Sequence, residues 1–431
     1  MAITLYWFRN DLRLTDNPSL EAACAEGNEL LPIYVRSSDE TTPTSWNFPR
    51  WGVERRAFRD QALDGLARQI AARSNRLRIF AGRPAEVIIE VARRTGAERL
   101  FCESIAAPEE IDEVAALRET GLNVCEHWQS SLLDPADLPC RIEQLPGVFT
   151  AFRHAVERTG VLPRASLAAP AQLPPAPSVA LPIGVTETAA PTDATPWFAF
   201  SDPAFHGSEA SALAHVEHYF ESAAPQSYKA TRNGLSGTDY STKFSPWLAV
   251  GALSPRTVFQ ALKAHEARCG ANESTYWIWF ELLWRDFFRF WSLKHGVRLF
   301  RSRGLSERPP AQQDPQAFSR WCAGETGQGF VDAGMRDLAA SGYLSNRMRQ
   351  VVASYLIHDL GGDWRAGAAW FESRLIDYDV CSNHGNWLYL AGRGADPRQG
   401  RRFDPDKQAA SYDREGRYRA LWGVAGGTRS A

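Results

Sequence analysis

A chain of 431 residues exceeds one average domain and points to two. Its 44% hydrophobic and 23% charged residues are those of an ordinary soluble globular protein, which excludes a disordered or fibrous chain. A net charge of −2 excludes a surface coated in positive charge, so any nucleic acid would bind through a local patch.

The chain starts directly in "ITLYWF", with no signal or transit segment ahead of it. That run and "ELLPIYV", "LRIFAG", "RLFCES" and "NVCEHW" are short and apolar, and predict buried strands. Between them "NPSLEAACAEG", "VERRAFRDQALDGLARQIAARS", "PAEVIIEVARRTG" and "EEIDEVAALRETG" carry helical periodicity. The alternation predicts an α/β domain over residues 1–135 with a doubly wound parallel sheet and a ligand crevice at the carboxyl ends of its strands. No GxGxxG follows the first strand, where "FRNDLRLTDN" stands instead, and no GxxxxGK[ST] occurs anywhere. A Rossmann dinucleotide site and a P-loop are therefore not expected.

Residues 136–196 read as a connector. Eight of the 26 prolines fall between Leu162 and Pro196, which predicts an extended run wrapping from one domain to the other. Over 197–431 the strand signal fades and helical periods take over, predicting an all-helical domain. Several of its helices, "STYWIWFELLWRDFFRFWSLKHG" above all, are apolar around most of their circumference, as expected where helices line a cofactor or a large core. Eleven of the 15 tryptophans lie here, an enrichment that suits stacking or redox work, although any single one is better read as core. No apolar run approaches the roughly 20 residues of a membrane span. The seven cysteines are scattered, odd in number and without a CxxC pair. That usage suits a reducing, cytoplasmic setting and predicts neither a disulfide scaffold nor a metal site.

Four short stretches concentrate polar chemistry. "STKFS" (241–245) packs three hydroxyls and an ammonium before a helical run, which suits a phosphate site or a plain N-cap. "FELLWRDFF" sets Glu281, Trp284 and Arg285 within one turn, and alone would be a core helix with an ion pair. Arg347 and Arg349 in "SNRMRQ" would pass as a solvated basic face. "DYDVCSNHGNWLYL" (377–390) crowds two carboxylates, two amides, a cysteine, a histidine and an indole together, with neither metal-ligand spacing nor a nucleophile.

Taken with "YWFRNDLRLTDNPSL", these stretches resemble the photolyase/cryptochrome flavoproteins. "LPGVFTAFRHAVE", "YKATRNGLSGTDYSTKFSPWLAVGALSP", "FVDAGMRDLAASGYLSNRMRQ" and "FDPDKQAASYDREGRYRALW" are similar to the cryptochrome DASH branch in particular. The resemblance spans nearly the whole chain. It implies an α/β antenna-binding domain joined to a helical domain that binds FAD, with 5,10-methenyltetrahydrofolate as antenna. The implied activity is light-driven splitting of cyclobutane pyrimidine dimers, a deoxyribodipyrimidine photo-lyase acting on single-stranded DNA as a monomer, by electron donation from excited FADH⁻. The alternative is a blue-light photoreceptor that signals through flavin redox change.

The matching positions assign roles. Tyr228, Ser241, Thr242, Lys243, Ser245, Glu281, Arg285, Asn346, Arg349, Asp377, Asp379 and Asn383 would hold FAD, with the hydroxyls and Lys243 near its diphosphate and Asn383 beside N5. Glu281, Trp284 and Asn383 would be catalytic. Arg232, Trp284, Arg347 and Tyr389 would meet DNA or lesion. Trp387 and Trp364 would carry electrons to the flavin. The position of the family's usual third tryptophan holds Ala311, while Trp321 nearby matches a different place. Glu157 and Glu103 would contact the antenna. A neutral amide at Asn383 tolerates a reduced, anionic flavin that a carboxylate would repel. Tyr389 stands where double-strand-acting relatives usually carry tryptophan, so less stacking is there to offset unpairing a base, which costs a few kcal/mol. Cys381 and His384 are expected to pack the pocket.

Overall fold

The computed structural model describes residues 2–178, 186–187, 205–396 and 400–423. The expected boundary between connector and helical domain, at 196/197, lies outside the described residues. The five apolar runs form strands β1 (Ile3–Phe8), β2 (Glu29–Ser37), β3 (Arg78–Gly82), β4 (Arg99–Glu103) and β5 (Asn123–His127). They pair in parallel in the order β5-β4-β1-β2-β3, and the two-residue β6 (Thr186–Glu187) adds antiparallel to β3.

The strands are apolar on both faces because both faces are covered. Leu5, Trp7, Ile33, Phe80 and Leu100 pack against Val87, Ile88 and Val91 of the helix Pro84–Thr95. Their sequence neighbours Tyr6, Phe8, Tyr34 and Phe101 point the other way, towards Phe58, Leu63 and Leu66 of the helix Val53–Ala71. That second core continues into Phe220, Phe244, Trp247, Ile278 and Leu282 of the helical half, so the two halves share buried surface.

The connector is not uniformly extended. It opens with a helix, Phe149–Thr159, whose Phe149, Phe152 and Val156 enter the core of the helical half beside Phe287 and Trp291. The described part of the proline run, up to residue 178, then lies along the sheet half. Proline has no N–H, and the run accordingly serves through its carbonyls. Leu30 N–H donates to Pro175 O at 3.0 Å, the Asn75 amide to Pro174 O at 2.8 Å and Arg73 Nε to Pro170 O at 2.7 Å.

The loop after β1, standing where a dinucleotide motif would be, bolts the halves together. Asp16, with 0% exposure, accepts from Arg256 Nε at 2.8 Å and Nη2 at 2.9 Å, and from the Ser254 hydroxyl. Buried Arg13 donates to Gly251 O at 2.9 Å and Gln129 O at 3.2 Å. Leu14 and Thr15 N–H groups donate to the Glu209 carboxylate at 2.9 and 2.8 Å. Gly251 (φ +72°) admits the loop because a Cβ there would lie 1.8 Å from Asn10 O.

Arg256→Met should cost about 3–5 kcal/mol, because it leaves the Asp16 charge buried without its partner. Burial alone would raise the Asp16 pKa, but Arg256 and Arg13 hold it below the ordinary carboxylate value. The pair therefore stabilises the fold above the unfolded aspartate pKa of about 3.9 and loses that effect as pH falls through the folded value. Denaturant midpoints of wild type and variant should differ at pH 7 and converge in acid.

Candidate active site

A cavity of about 430 Å³ opens in the helical half, enclosed by the 23-residue helix Glu273–His295, the loop 240–248 and the segments 343–350 and 371–390. Tyr228, Ser241, Thr242, Lys243 and Ser245 are among its lining residues. The helix that follows, Ser245–Val250, is only six residues long, so side-chain hydroxyls rather than a macrodipole dominate there. Lys243 sits at φ +54°, an unfavourable backbone for a residue with a Cβ. It is 2% exposed, and its ammonium lies 3.4 Å from the Tyr240 ring centroid and 4.7 Å from that of Tyr343. No carboxylate or carbonyl bonds it among the described residues. Burial pushes its pKa well below the ordinary lysine value, with Asp337 and Asp377 pulling the other way. A buried cation without a bonded anion is costly, so this part of the lining suits an anionic group such as a diphosphate.

Further along, two carboxylates are each held by an arginine. Arg349 Nη2 donates to both oxygens of Asp377, at 2.9 and 2.7 Å, while its Nε donates to Leu344 O at 2.9 Å. Asp379 pairs with Arg289 and caps the helix Val380–Leu390 by accepting from Ser382 N–H at 2.8 Å. Burial alone would raise its pKa, but Arg289, Arg285 and that N–H bring it down to about 2. Arg285 lines the cavity, donating to Leu248 O at 2.9 Å and to Ser130 O; burial lowers its pKa to about 10.

Asn383 lines the cavity, and its Nδ2 donates to Ala368 O at 3.0 Å. Trp387 forms the adjoining wall. Its indole fits because residue 367 is glycine: a Cβ there would meet the ring at 2.2 Å. At the mouth Glu281 pairs with Arg232, and burial raises the Glu281 pKa against the pull of that arginine. Trp284 is stacked on one face by Phe149 at 3.8 Å and 15°, and meets Tyr389 edge-on at 6.0 Å and 80°. Arg401 caps the Tyr389 ring at 4.8 Å.

The cavity thus gathers every residue expected to hold FAD, together with Arg232, Trp284, Tyr389 and Trp387. Four expected residues lie elsewhere. Arg347 stands beside Asn233 and the Tyr412 ring, and Trp364 is buried behind the wall with its Nε1 on Ser302 O at 3.0 Å. Glu157 is exposed and accepts from Tyr276 OH at 2.6 Å. Glu103 has 0% exposure; burial, with Asp11 beside it, raises its pKa to about 8. Sequence reasoning did not single out Phe149, Arg289, Tyr240 or Tyr343. Arg289 follows Arg285 by one helical turn, a usable signal; the others are joined to the site by tertiary contact alone.

A second cavity of about 160 Å³ lies at the carboxyl ends of β1 and β2, lined by Arg9, Trp51, Arg55, Glu109 and Glu110. Tyr378 and Asp379 line both cavities and separate them. Among the described residues no cluster of three or more His, Cys, Asp or Glu could hold a metal, and no helix is long and apolar enough to cross a membrane.

The family profile for the FAD-binding domain of DNA photolyase matches residues 277–423, and that for DNA photolyase matches residues 4–176. Cryptochrome DASH of Synechocystis sp. is 42% identical over 427 residues, covering 97% of this chain and 86% of the relative. The Xenopus laevis cryptochrome DASH is 44% identical, covering 96% and 81%. The crystal structure of the Synechocystis cryptochrome superposes with a TM-score of 0.92, covering 98% of this chain and 88% of that one.

Gly367→Ala should displace Trp387 and cost about 1–3 kcal/mol by overpacking. A lowered melting temperature with an altered near-ultraviolet circular dichroism band would report it; an unchanged indole signal would refute the close approach.

Proposed function

We propose, for a chain that belongs to the photolyase/cryptochrome family in its cryptochrome DASH branch, that it repairs cyclobutane pyrimidine dimers in single-stranded DNA under blue or near-ultraviolet light. The observation that carries the proposal is the joining of two chemistries in one cavity. Part of the lining offers hydroxyls and Lys243 to a diphosphate, and another part offers a carboxylate and a stacking indole to a base. Bound in this cavity, reduced FAD would supply light-driven one-electron chemistry to the dimer. The residues proposed to hold it are those around Lys243 with Arg349, Asp377, Asp379 and Asn383.

The chain's own part is to bind, orient and exclude. Trp284 has one face committed to Phe149, which leaves the other for a pyrimidine flipped out of its strand. Glu281, held by Arg232, is an acceptor for a pyrimidine N–H at the mouth. Asn383, on the cavity lining, would offer the flavin an amide without adding charge. Tyr389, smaller than an indole and set edge-on to Trp284, offers little stacking with which to offset unpairing a duplex. Single strands spare that cost of a few kcal/mol. A methenyltetrahydrofolate antenna is part of the proposal, with Glu157 as its exposed candidate contact.

Purified protein, photoreduced and given dimer-containing oligonucleotides, should split dimers in single strands faster than in duplexes. Failure on both substrates would overturn the repair proposal and leave the photoreceptor reading. Tyr389→Trp should raise the duplex share of repair, read as the ratio of the two rates. Asn383→Asp should move the spectrum of the photoreduced protein away from that of an anionic flavin; an unchanged spectrum would remove Asn383 from N5.

A further inference from the structure

Ring contacts from Trp387 lead outward in an unexpected direction. Trp387 meets Trp321 edge-to-face at 6.4 Å and 75°, and Phe371 at 5.1 Å. Trp364 touches a single ring among the described residues, that of His384 at 6.0 Å. The next position on that side holds Ala311, which cannot be oxidised.

Trp321, with 0% exposure on the helix Pro315–Ala323, continues the other way. It stacks on Phe318 at 5.8 Å and 19°, and Phe318 lies 6.3 Å from Trp46. Trp46 is half-buried in a loop of the sheet half, so the contacts run from the cavity wall to solvent where the halves meet. A rival exit exists at Trp370, reached through Phe48 at 5.0 Å, but the Arg374 guanidinium lies 4.6 Å over its ring. A fixed cation there opposes a second positive charge on that indole. Among the described residues no cation lies over Trp321 or Trp46, and the Trp321 N–H donates to Val352 O at 3.0 Å. A carbonyl stabilises the cation of an oxidised indole without removing its proton, so the charge can move on.

We infer that Trp321 and Trp46 form an electron inlet to Trp387 separate from Trp364, fed by a thiol reductant at the junction of the two halves. The inference rests on the flavin reading above. Trp387 gives one electron to the light-excited, oxidised flavin; Trp321 refills Trp387, and Trp46 refills Trp321 across Phe318. A thiol reduces Trp46, releases its proton to solvent and pairs with a second oxidised thiol as a disulfide. One electron enters and one is stored.

The test uses the full chain with FAD, dithiothreitol and blue light, following loss of the oxidised-flavin band. A parallel illumination without thiol maps tryptophan oxidation by mass spectrometry. Trp46→Phe and Trp321→Phe should each remove most of the photoreduction that survives Trp364→Phe, and Trp46 should carry oxidation products that vanish in Trp321→Phe. Trp46 is half-buried, so its variant serves even if the Trp321 variant folds poorly. Loss of all photoreduction in Trp364→Phe with Trp46 unmarked would overturn the route while leaving the flavin reading intact. A chain that takes up no flavin would overturn both.

Discussion

The buried pair between Asp16 and Arg256 is the constraint on which the site depends. A carboxylate with no exposure is tolerated only where its charge is met, and here it is met from the other half of the molecule. The same loop bonds Val250 and Gly251 through Leu12 N–H and Arg13. Those residues end the short helix that follows Ser241–Ser245. The sheet half thus lends the main cavity none of its lining side chains, yet fixes the far end of the loop that lines it. The backbone of Lys243, at φ +54°, is the kind of local strain that a loop pinned at its end can hold.

Charge inside the cavity follows one rule with two exceptions. Asp377 is met by Arg349, Asp379 by Arg289 and Glu281 by Arg232. Each pair is internally compensated and sets a side chain in place without adding net charge. Two cations stand outside the scheme: Lys243, between two tyrosine faces and bonded to no anion among the described residues, and Arg285, which donates to the Ser130 and Leu248 carbonyls. The cavity is therefore net positive: neutral pairs together with two desolvated cations, Lys243 and Arg285. A ligand that is anionic at one end and flat and hydrogen-bonding along the rest matches that distribution, as FAD does.

What the sequence disclosed follows from the range of each interaction. The strands were legible because burial on both faces leaves continuous apolar runs, and the proline run because its composition permits little else. The clustered site residues were legible because they occupy ordered motifs. Partner choice was not: nothing in "LPGVFTAFRHAVE" says that Phe149 will lie flat on Trp284, some 135 residues away. The connector's first helix was absorbed into a nominal linker for the same reason, since its apolar stripe is completed only by Phe287 and Trp291. Resemblance also ordered the tryptophans along a familiar line, whereas packing sets Trp321 against Trp387.

The segment 377–390 shows how tightly such constraints can share residues. Tyr378 and Asp379 face both cavities, Asn383 and Trp387 face one, and Cys381 and His384 face neither. Cys381 packs against Ala106, and His384 against Phe300 and Trp364, so both pack behind the wall and not in the pocket as expected. Gly385 belongs there because a Cβ would lie 2.1 Å from Phe288, as Gly367 belongs under Trp387. A wall between two cavities cannot thicken without closing one of them. Its residues are thus fixed from both sides, by volume where they are small and by charge where they are polar, and the pairing of Asp379 with Arg289 holds the wall at a residue that lines both cavities.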